Sequence, residues 1–147
     1  YGRSELQWSD DLYDLAMYRA EDMYDRKYFD HVTPDGKCVK DFKSQFNLGS
    51  YTIAENAGAV MYGDSYGVDY ASYANPKTQV DSWMESRGHR YNLLYPDHVL
   101  GVVVCYKGAC IFLGANRDPY GFGAGPCTNG DEGMAYWDSA DIQPGEI

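Results

Sequence analysis

The stretch from residue 100 to 115 constrains the fold more than any other part of the chain. Two apolar runs rich in β-branched residues, 100–106 and 109–115, flank Lys107 and Gly108, a two-residue turn signal, so the spacing predicts an antiparallel hairpin. In that register Tyr106 faces Ala109, and Cys105 faces Cys110 in the next, non-hydrogen-bonded pair. Such pairs bring Cα atoms within disulfide reach, and a Cys105 to Cys110 bridge is expected. The chain has four cysteines, and this pairing leaves Cys38 for Cys127, which would anchor the tail. The alternatives are unrelated buried thiols or a zinc site, for which C-x4-C with remote partners is poor spacing. Oxidised cysteines imply an extracellular, periplasmic or cell-surface protein.

Upstream, Ser9 followed by Asp10 and Asp11 marks a helix start, and Leu12, Leu15, Ala16, Ala20 and Met23 recur at helical spacing over 9–27, with Arg19 read onto another face. A loop carrying His31 follows, closed by Pro34, Asp35 and Gly36. Val39, Phe42 and Phe46 predict a second, shorter helix ending at Asn47 to Gly49. Asn75 and Pro76 open a further helix with Val80, Trp83 and Met84 inside, broken at Arg87 and Gly88; one or two helical turns follow, to Leu94. Between these helices, Tyr62, Tyr66, Tyr70 and Tyr73 alternate with Gly, Asp and Ser, the pattern of a surface loop suited to glycan or protein recognition, with packing against the sheet as the alternative. From Arg117 onward the sequence shows no periodicity and reads as an irregular tail.

With 147 residues the chain suits one domain spanning 1–147, and a net charge of −10 with scattered basic residues argues against nucleic acid and anionic membranes. No apolar stretch is long enough to span a bilayer. The chain opens at Tyr1 and reads as a processed segment.

Three places put polar groups in apolar settings: Tyr28, Phe29, Asp30 and His31; Ala54, Glu55, Asn56 and Ala57; and the run from Trp83 through Glu85, Ser86, Arg87, Gly88, His89, Arg90 and Asn92 to Leu94. Together, and in this order, they resemble the CAP superfamily of cysteine-rich secretory, antigen 5 and pathogenesis-related 1 proteins, above all its bacterial and archaeal SCP-like extracellular branch. The resemblance covers about 5–115, leaving the tyrosine-rich loop and the tail 116–147 outside the motifs. It implies an α+β fold, an α-β-α sandwich with a small antiparallel sheet between helical layers. It also implies a cleft lined by a His, Glu, Glu, His tetrad. His31, Glu55 and His89 match three of these positions. The fourth falls at Ser86 by spacing, with Glu85 one residue earlier as an optional member.

Two imidazoles and a carboxylate suit a divalent ion such as zinc, with His31 and His89 as its metal ligands. The opposing reading gives these residues local structural duties: a helix-end cap, a local hydrogen bond, a buried acceptor. The expected function is a secreted or cell-surface ligand- or partner-binding domain. The alternative is a metal-dependent hydrolase with Glu55 as the catalytic base. Ser86 and His89, three residues apart, are weak evidence for a nucleophile and its base. Asp118, Asp131 and Glu132 lack calcium-loop spacing. His98 reads as a loop residue, and Arg90 and Asn92 as residues that hold the turn.

Overall fold

A computed structural model of the chain describes residues 2–62 and 67–118. Helix α1 (Asp10–Arg26) begins where Ser9, in extended conformation, accepts the Leu12 N–H on its hydroxyl. Asp10 and Asp11 sit in its first turn and Arg26 in its last, each matched to the helix dipole. Lys27 ends it in the left-handed region, at φ 57°, and returns its N–H to the Met23 carbonyl. The buried face is Leu12, Leu15, Ala16, Arg19, Ala20 and Met23. Arg19 therefore lies within the apolar stripe, correcting its assignment to another face.

The expected second helix is instead two 3-10 turns, Val39–Phe42 and Ser44–Phe46, with Asn47 left-handed at their end. Its apolar positions are too few to bury a continuous helical face. Tyr51–Ala59 forms strand β1, followed by the short pair β2 (Met61–Tyr62) and β3 (Asp69–Tyr70). Helix α2 (Pro76–Met84) is capped by the Asn75 side chain, which accepts from the Lys77 and Thr78 N–H groups. The break falls at Glu85 and Ser86, earlier than expected, and Gly88 lies inside helix α3 (Arg87–Leu94). Strands β4 (Leu100–Tyr106) and β5 (Ala109–Arg117) complete the chain's described part.

The main sheet has the antiparallel order β1-β5-β4. Its central strand is apolar on both faces because both are covered: Ile111, Leu113 and Ala115 pack with α1, while Cys110 and Phe112 pack with Trp83. Helices on either side of an antiparallel sheet make the α-β-α arrangement. Gln7 bridges Leu100 along the outer side of β4. In the hairpin Cys105 faces Cys110, and the two are disulfide-bonded with Cα atoms 4.1 Å apart. Cys38 is not a free thiol, and Cys127, the partner expected for it, lies outside the described residues, as do Tyr66, Asp131 and Glu132. Tyr62 and Tyr73 are exposed, whereas the Tyr70 hydroxyl donates to the Tyr28 carbonyl. Among the described residues no helix is long and apolar enough to cross a membrane.

Candidate functional site

The centre of the site is a buried ion pair. Arg19 projects from α1 with no solvent exposure and grips both oxygens of Glu55: Nε donates to Oε2 at 2.8 Å and Nη2 to Oε1 at 3.0 Å. Its Nη1 donates to the Tyr28 hydroxyl at 2.6 Å, which in turn donates to Asp22. Nη2 also reaches the backbone carbonyls of Asp30 and His31 at 2.9 and 3.4 Å. One guanidinium thus fixes both the carboxylate and the loop that carries His31. Planar, five-donor geometry is what such a junction requires, and lysine has no equivalent.

His31 closes the group by donating from Nδ1 to Glu55 Oε1 at 2.8 Å. That bond outweighs partial burial and raises the His31 pKa above its ordinary value. Burial alone would raise Glu55. The Arg19 charge and the hydrogen bonds from His31 and Arg19 overcome it and hold the carboxyl at a pKa of about 2.

Glu55 reaches this position because β1 alternates. Glu55 faces Leu113 in the register and points to the α1 face, while Asn56 points to the α3 face. Asn56 donates to the His89 carbonyl and accepts from Asn92 Nδ2, both at 2.9 Å. Trp83 Nε1 adds a bond to the Ala57 carbonyl. These contacts stitch α2 and α3 to the edge strand and anchor the His89 backbone beside Asn56. Burial lowers the His89 pKa, and a charge on His31 lowers it further. Its Nδ1 lies 3.0 Å from Ser86 Oγ. Among the described residues no carboxylate orients that imidazole, as a Ser–His nucleophile would require.

Of the residues singled out in the sequence, His31 and Glu55 are in direct contact, and His89 lies within electrostatic reach of His31. Glu85 is an exposed residue at the C-terminal end of α2, and the helix break removes the i, i+4 relation that would have brought it to His89. Among the described residues no hydrogen bond or ion pair joins its side chain to the other three. Asp118 accepts from Thr52, and His98 is buried. Arg19 was not anticipated as a site residue, and Asn56 was marked only as part of its motif, with no role assigned. Arg19 stands seven residues after Leu12 and four after Leu15, so its place on the buried stripe was readable from spacing.

Whether this group fits a metal depends on what Glu55 still offers. Both its oxygens are engaged by Arg19, and a guanidinium in contact with the carboxylate opposes a dication on the same atoms. Among the described residues no set of three or more His, Cys, Asp or Glu is gathered to hold a metal ion.

Comparison with known proteins gives a consistent picture. The profile of the cysteine-rich secretory protein family, CAP, matches residues 1–110. The protein YkwD of Bacillus subtilis (strain 168) is 30% identical over 96 residues, covering 65% of this chain and 33% of its own length. The membrane protein YlbC of the same organism is 29% identical over 108 residues, covering 73% of this chain and 28% of its own. The chain therefore spans about a third of the length of these relatives. A solved structure of an extracellular protein containing an SCP domain, from Bacillus anthracis str. Ames, superposes with a TM-score of 0.63 at 24% identity, over 78% of this chain and 35% of that one.

Proposed function

Because the chain belongs to the cysteine-rich secretory protein (CAP) family, we propose that it acts outside the cytoplasm as a ligand- or partner-binding domain, through the cleft formed by His31, Glu55 and His89. The observation that carries this reading is the two-point grip of Arg19 on Glu55. A general base works best with a pKa near the working pH. Glu55, at about 2, has little affinity for a proton at neutrality and serves instead as a fixed acceptor that orients His31. With Nδ1 committed to Glu55, the His31 ring presents Nε2 to a ligand.

Zinc, as a ligand of this cleft, would rest on His31 and His89 alone, through the ring nitrogens not used toward Glu55 and Ser86. Glu55 would act behind His31, as carboxylates behind metal-bound imidazoles do. Two imidazoles make a weak and displaceable site, and no chemical step is assigned to a metal. The disulfide at the hairpin supports the oxidising compartment.

Calorimetric zinc titration of the wild type beside His31→Ala and His89→Ala tests this, together with a hydrolysis assay on unfolded protein substrate. Weak uptake that each substitution abolishes, with no turnover, is the expected result. Turnover that depends on zinc and is lost in Glu55→Gln would replace the binding reading with the hydrolase.

A further inference from the structure

A cavity of about 510 Å3 opens between α3 and the ends of β1 and β5, and neither His31, Glu55 nor His89 lines it. Its volume is within the range of small-molecule sites. The wall combines aromatic surface from Tyr91 and Tyr95, whose rings lie 5.7 Å apart, with the polar side chains of Thr52, Asn116 and His98. His98 is the unusual member. It is only 6% exposed, and although the Asn92 backbone and the Asn116 side chain lie beside the ring, neither ring nitrogen makes a well-aligned hydrogen bond among the described residues. Buried polar groups are nearly always paired, so an unsatisfied one in a cavity wall points to something that enters the cavity.

The ring is held there by its neighbours. Tyr95 meets it edge-on at 5.0 Å, and Phe112 lies 6.4 Å away. Beneath it is Gly114, where a Cβ would come within 2.5 Å of the His98 Cδ2 and Nε2 atoms. A missing side chain in the central strand thus leaves room for the imidazole in the cavity wall.

The charges of the wall are already engaged: the Arg117 guanidinium lies over the Tyr51 ring, and Asp118 accepts from Thr52. With a net charge of −10 on the chain, a polyanion is a poor occupant. A purely apolar one would leave His98 unsatisfied. Aromatic faces beside neutral donors and acceptors suit a molecule with apolar C–H faces and a rim of hydroxyls.

We propose that this cavity is a binding site for a neutral saccharide of one or two rings, with Tyr91 and Tyr95 against the C–H face and His98 and Asn116 meeting hydroxyls. The site is separate from the His31 cleft and stands or falls independently of it.

The test is an NMR titration of the full chain, following the His98 imidazole signals, with chitobiose, cellobiose and a neutral tripeptide as probes. Asn116→Ala is the variant, since Asn116 is partly exposed and its loss leaves the core intact; thermal melting checks that it folds. At least one disaccharide should shift the His98 signals saturably, and Asn116→Ala should weaken that binding roughly tenfold, the cost of one hydrogen bond. Silence from both sugars, response to the tripeptide alone, or unchanged sugar affinity in a folded Asn116→Ala variant would overturn the assignment.

Discussion

Arg19 and Glu55, 36 residues apart in the sequence, meet through two parallel hydrogen bonds with side-chain exposures of 0% and 5%. A buried carboxylate in such a grip is a positioned anion, and its removal is expected to cost more than its contacts suggest. In Glu55→Gln the Arg19 charge stays buried without its counter-ion, and the loss should be about 3–5 kcal/mol in urea denaturation. The double variant Arg19→Met/Glu55→Leu removes both charges and should be more stable than Glu55→Gln. If it is less stable, the pair contributes more than mutual compensation.

Stability should depend on pH with opposite signs at the two members of the group. Glu55 has a folded pKa of about 2 against an ordinary 4.5, so its contribution is complete above 4.5 and lost as pH falls toward 2. Integrated over that interval it amounts to about 3 kcal/mol. The His31 pKa is raised from 6.5, so its contribution is complete below 6.5 and lost as pH rises through the folded value. Urea midpoints should therefore be highest between these two ordinary values. His31→Ala should abolish the part of the alkaline-side loss that His31 contributes.

The hairpin disulfide closes a very short loop, with a sequence separation of 5. Chain-entropy reasoning gives roughly 2 kcal/mol for such a loop. Cys105→Ser/Cys110→Ser should lower the urea-derived stability by that order and leave the fold intact, because β5 stays paired on both sides. Unchanged stability would show that the turn alone fixes the hairpin.

Gly114 pairs with Gly101 in the central strand, beneath His98. Gly114→Ala drives a methyl into the imidazole and should cost about 1–3 kcal/mol by overpacking. A stabilised variant would mean that the His98 ring moves aside freely.

Much of this was legible in the sequence because the signals were local. Ser9 and Asn75 announced their helices through side chains that cap their own backbone. Lys107 and Gly108 fixed the register that joins Cys105 to Cys110. β1 was harder to read, because Glu55 and Asn56 interrupt its apolar run, and only the two-sided packing of an edge strand explains them. Glu55 answers to Arg19 on one face, and Asn56 to Asn92 on the other. The 3-10 turns at Val39–Phe42 and Ser44–Phe46 replaced a helix for want of a continuous apolar stripe. Motif matching marked His31, Glu55 and His89 but passed over Arg19, whose role depends on a contact that local pattern does not carry.

The ionisation state of Glu55 separates a fixed acceptor from a general base, and carbon-detected NMR of its side chain measures that state directly. A carboxyl signal that stays ionised through the folded range, with a midpoint near 2 or no inflection before acid unfolding, is the result predicted here. A midpoint at or above the ordinary 4.5 in the folded protein would contradict it, returning Glu55 to the candidates for a general base.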